Sequence, residues 1–135
     1  KGELFIVFVY FPVIRKYSTK GEFLAEFRIS QKMMDWKEKM NLDKISPGSR
    51  GAGFIVIIQS IRATDNGFFI LHDGPRIDIL EFDDKGKQKF AYWIEKASYK
   101  EGTKDFLVQN QGNEKLFYVL KDYPENRLDV FVRKH

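Results

Sequence analysis

The chain has no cysteine and only two histidines among its 135 residues, and each shortage closes off chemistry. Without thiols there is neither a disulfide framework nor a thiolate metal site, which is compatible with any redox compartment. With His72 the only non-terminal histidine, a multi-histidine metal site is excluded as well. Long apolar runs are also lacking. The longest, "LFIVFVYFPVI" at 4–14, is broken by Pro12. It falls short of the roughly 20 residues of a membrane span. No small-residue cleavage site follows it, so it does not read as a signal peptide either. Charge of one sign is missing too. The 23 basic residues are interleaved with 19 acidic ones, and the nearest approach to a basic run is Arg133-Lys134-His135. A nucleic-acid binder gathers its cations into a patch, so none is expected here.

What the chain does have is aromatic and strand-forming. Aromatic residues make up 16%, hydrophobic residues 43% and charged residues 31%, the balance of one globular domain rich in β-structure. Its strands recur. "FFILHDGP" (68–75) is echoed by "FYVLKDYP" (117–124), and "RIDIL" (76–80) by "RLDVF" (127–131). "FIVFVYFP" (5–12) opens a further copy, in which "VIRKYSTKGEFLAEFRI" (13–29) parallels "DILEFDDKGKQKFAYWI" (78–94). Each copy is an apolar strand, a loop with Pro, an alternating strand, and a turn such as "DDKGK" or "STKGE" that leads into a more polar strand. Gly86 and Gly21 fall where such hairpins need positive φ. Upstream, "FIVIIQSIRAT" (54–64) and "DFLVQN" (105–110) supply one additional strand each. Strands labelled a to d then run b-c-d over 1–29, a-b-c-d over 54–95 and a-b-c over 103–135. The expected fold is all-β, of antiparallel four-stranded units, with one helical insertion at 30–53.

This grammar resembles the blades of six-bladed β-propellers of the NHL-like and TolB-like kind, most of all uncharacterised bacterial cell-envelope members. The resemblance rests on "FPVIRKYSTKGEFLAEFRI" and "GPRIDILEFDDKGKQKFAYWI" and covers most of the chain outside 30–53. It implies about half a ring, a periplasmic or envelope location, and ligand binding on one loop face. The chain begins at Lys1. Expectations for the remaining ring are a longer parent protein, proteolysis, or a second copy that completes the missing strands a and d in trans.

In the insertion, "SQKMMDWKEKM" (30–40) predicts a short amphipathic helix with Ser30 as N-cap and Met33, Trp36 and Met40 on the core face. The following "NLDKISPGSRGAG" (41–53) reads as a loop. Its glycines lack the Lys-Ser/Thr of a phosphate loop.

Blade topology would bring the b–c loops and the insertion to one end, gathering Tyr10, Trp36, His72, Asp73, Arg76, Asp122 and Tyr123. Individually these have plain roles: His72 caps a strand end, and Asp73 and Asp122 form turns by binding their own backbone. No motif marks a catalytic residue, a metal ligand or a cofactor. The expected function is a non-catalytic binding or scaffold module whose loop face engages a protein, peptide or glycan. The alternatives are a hydrolase or lyase using His72, Asp73 and Asp122, and a small β-barrel around an apolar ligand.

Overall fold

The computed structural model describes residues 2–48 and 53–134. Those residues form an all-β fold with one helix and three antiparallel sheets of three, four and three strands. The first contains β1 (Leu4–Phe8), β2 (Val13–Tyr17) and β3 (Phe23–Arg28). Helix α1 (Lys32–Ile45) follows. The central sheet runs in chain order through β4 (Ser60–Thr64), β5 (Gly67–Asp73), β6 (Ile77–Asp83) and β7 (Gln88–Ile94). The third holds β8 (Gly102–Gln111), β9 (Glu114–Tyr123) and β10 (Arg127–Lys134).

The sheets are stacked, with the central one covered on both faces. Alternation along its strands decides which side chain goes where. Phe68, Ile70, Leu80 and Phe82 point to the first sheet and meet Ile14, Ile29, Ile57, Ile58 and Met34. Phe69, Leu71, Ile77 and Ile79 point the other way, onto Phe106, Phe117 and Val119 of the third sheet. The Phe68 ring lies at the centre of the first interface, stacked on Phe82 at 5.0 Å and 5.1 Å from Phe5. Strand β5 therefore reads as continuously apolar because both of its faces are buried. Strand β1, equally apolar, differs: Leu4 and Ile6 lie on the outer face of an end sheet and are exposed.

The turns opposite the Pro loops are tight. In "DDKGK" the Asp83 carboxylate accepts the backbone N–H groups of Lys85 and Lys87, so this acidic stretch is a self-bonded turn. Gly86 has φ +78, and a Cβ there would run into the ring of Phe27 from the first sheet. Glycine is required at that position for conformation and for space.

The helix departs from its expected form in three ways. Gln31, not Ser30, is the N-cap, and no side-chain cap bond is made. The helix continues to Ile45, into the stretch expected to be a loop; residues 49–52 of that stretch, Gly51 included, lie outside the described residues. Its buried residues are Met34, Lys37 and Asn41. Met33 is partly buried against the first interface, but Trp36 and Met40 face solvent. The buried stripe is shifted by one residue because two of its three members are polar and find partners inside. Apolar spacing alone does not show such a stripe.

The segment 54–59 is likewise not a strand. Ser60–Thr64 forms β4, preceded by a bond from the Gln59 amide to the Leu71 carbonyl of β5 at 2.8 Å. Ile57 and Ile58 are fully buried, and both of their amides bond the carbonyl of Val9, which pulls the backbone off the edge of β5.

Candidate functional site

The Pro-loop ends of the three sheets are joined by side chains that bridge between elements. Asn41 of α1 is buried and fully satisfied: its amide donates to the carbonyls of Tyr10 (2.8 Å) and Ile55 (2.7 Å), and its oxygen accepts the Ile55 N–H at 2.7 Å. This fixes the β1–β2 loop against the segment after the helix. Lys37, one turn earlier, donates to the carbonyl of Asp73 at 2.8 Å, tying the helix to the end of β5. Burial pulls the Lys37 ammonium below the usual lysine range; Asp73 opposes that shift and Lys96 adds to it.

The Asp73 carboxylate is an inter-sheet clasp. Oδ2 accepts both the amide (2.8 Å) and the hydroxyl (2.7 Å) of Thr103 in the third sheet. Oδ1 has no hydrogen bond of good geometry but is ion-paired with the buried ammonium of Lys96. Asp73 therefore does not bind its own turn, as a loop-forming aspartate would. His72 is 1% exposed, and its Nδ1–H donates to the carbonyl of Ile57 at 2.7 Å. The carbonyl can only accept, so the proton must be on Nδ1. Burial lowers the His72 pKa, with the Ile57 bond opposing. The two neighbours point to opposite faces of the central sheet, His72 toward the helix side and Asp73 toward the third sheet. Asp122 is exposed on a different sheet. The acid–base constellation of His72, Asp73 and Asp122 is not assembled.

The remaining expected residues are on the surface. Tyr10 is exposed, its ring 5.3 Å from that of Phe54. The Arg76 guanidinium lies over the exposed Trp93 ring, 5.0 Å from its centroid, and donates from Nε to Asp78 at 2.8 Å. Burial raises the Asp78 carboxyl above its usual range, against the pull of Arg76. Trp36 is 52% exposed on the helix, and Tyr123 is exposed at the end of β9.

Sequence reasoning missed the charged members of this end. Lys121 is buried between Glu101 (3.1 Å) and Asp129 (2.9 Å), and Arg127 reaches the same two carboxylates at 3.2 and 2.8 Å. Although burial works to raise it, Glu101 is held below the usual carboxylate range by Lys121, the Ala97 amide and Arg127. Lys96 and Glu101 lie in a polar connection with no periodicity to mark them. Trp93 and Phe54 were legible only as aromatic residues of strands.

Among the described residues, no group of three or more His, Asp or Glu side chains is placed to hold a metal ion. What this end offers is aromatic faces and a guanidinium. Such groups stack on sugar rings or apolar side chains and bond to carboxylates or amides.

The chain matches no protein-family model, no curated protein and no solved structure. What it does must be argued from its own geometry.

Proposed function

We propose that this chain is a set of β-propeller-type blades acting as a non-catalytic binding module, engaging a protein, peptide or glycan through its Pro-loop end. The architectural half of this proposal is supported by how the repeats pack. Ile14 and Ile79 occupy equivalent positions in the repeats, and each points from its sheet toward the next one along the chain. Leu128 and Val130, the third sheet's counterparts of Ile77 and Ile79, point the same way. Ile77 and Ile79 are 0% exposed, whereas Leu128 and Val130 are 59% and 51% exposed. The third sheet thus repeats a packing face, and a further sheet, in the same chain or in a second copy, would cover it. That is how blades follow one another.

The functional half is carried by one observation. The histidine and carboxylate at the loop end are consumed in joining the sheets, while Tyr10, Phe54, Trp93 and Tyr123 remain exposed, with the half-buried Arg76 guanidinium over Trp93. Exposed aromatic residues not used for packing mark recognition surfaces. A peptide and glycan array probed with the purified chain, repeated with Tyr10→Ser and Arg76→Ala, tests the proposal. Wild-type hits that both variants lose support it. A set of hits from which neither variant loses any refutes the assignment to this end.

A further inference from the structure

A groove of about 610 Å³ runs between the last strands of the central and third sheets. One wall is Phe90, Tyr92 and Ile94 of β7. Phe117 forms the floor, and Phe131 to Arg133 of β10 form the other wall. Its position follows from the strand count. In the central sheet the outer edge of β6 is covered by β7, with Ile77 opposite Ile94 and Ile79 opposite Tyr92. β10 repeats β6, "RLDVF" for "RIDIL", but it ends its sheet, and no strand covers its outer edge among the described residues. The groove is the place of the strand that would.

We infer that this groove accepts an extended peptide strand, paired antiparallel to β10, with aromatic or aliphatic residues at alternate positions and carboxylates beside Arg133. Three features specify that occupant. First, the outer edge of β10 presents the backbone donors and acceptors that strand addition uses. Second, the apolar walls continue the interface between the central and third sheets. Phe117 belongs to that core cluster, Tyr92, Ile94 and Phe131 pack against it, and all four line the groove, where Phe90 is 57% exposed. A strand with alternating apolar residues, as in β7, would extend the same interface. Third, the charge is reversed. β6 ends on Asp83, which β7 meets with Lys89 at 3.2 Å. β10 brings Arg133 to the groove wall, so its complement there is acidic where β7 is basic. This inference rests on the repeat reading of the sheets proposed above; Trp93 of the loop-end surface also lines the groove, and protection of the β10 amides distinguishes the two sites.

Two labelled peptides test it: GKQKFAYWIE, the sequence of residues 86–95, and GEQEFAYWIE, with glutamates replacing Lys87 and Lys89. Fluorescence anisotropy reads affinity, and hydrogen exchange reads protection of the β10 amides. The acidic peptide is expected to bind about tenfold tighter at low salt, with the gap closing at high salt. Added protection should fall on residues 128–133. Phe90→Ala should weaken binding of the acidic peptide without lowering the melting temperature of the free protein. Absence of binding by either peptide, tighter binding of the lysine peptide, or binding without protection of β10 would each overturn the inference.

Discussion

Asp73 and Thr103 join the second and third sheets through a single carboxylate oxygen, which accepts both the amide and the hydroxyl of Thr103 at 2.8 and 2.7 Å. The other oxygen neutralises Lys96, whose side chain is 5% exposed. Breaking a buried pair by removing one partner leaves the other charge stranded, at a cost of about 3–5 kcal/mol. Asp73→Ala should therefore destabilise the fold by about that amount in urea unfolding. Thr103→Val keeps the charge pair and the backbone bond, and should cost only about 1 kcal/mol. A catalytic aspartate would show the reverse: lost turnover with stability unchanged.

His72 sets a pH limit. Burial lowers its folded-state pKa below the unfolded value near 6.5. As pH falls through about 6.5, the unfolded chain takes up a proton that the folded chain refuses, and stability declines until the lower folded pKa is passed. Urea midpoints measured from pH 7.5 to 5 should fall for the wild type. In His72→Gln, which is less stable throughout, that slope should flatten. This window lies above the range in which Glu101 and Asp129, both held low by their cationic partners, lose their stabilising charge.

The helix supplies a test of which face packs. Met34 is fully buried and Met40 is exposed. Met34→Ala should cost about 2–5 kcal/mol through lost burial and a residual cavity. Met40→Ala should stay within about 0.5 kcal/mol of wild type. Equal effects would mean that the stripe of Met33, Trp36 and Met40 faces the core after all.

Most of the β architecture was legible because it is local. Alternation in "RIDILEF" sent Ile77 and Ile79 to one face and Leu80 and Phe82 to the other, and the glycine of "DDKGK" marked its turn. What was not legible depends on contacts made at a distance. Lys37 and Asn41 look like solvent-facing helix residues until Asp73, Tyr10 and Ile55 supply carbonyls to meet them. "FIVII" has strand propensity, yet Val9 draws two of its amides away from the ladder. At the loop end, Tyr10 and Tyr123 are exposed and Arg76 is half-buried against Asp78 and Trp93. His72 and Asp73 carry the residue types of a reactive site, but burial turns them to structural use. Sequence shows which groups are present, and only the packing shows which of them are already occupied.

Where a ligand binds decides whether the Pro-loop end is the recognition surface. Hydrogen–deuterium exchange of the chain with and without a hit from the peptide and glycan array would map the contact. Protection is predicted over residues 9–12, 73–76 and 121–126, with the turns at 18–22 and 84–87 unchanged. Protection confined to those turns would contradict a loop-end binding surface.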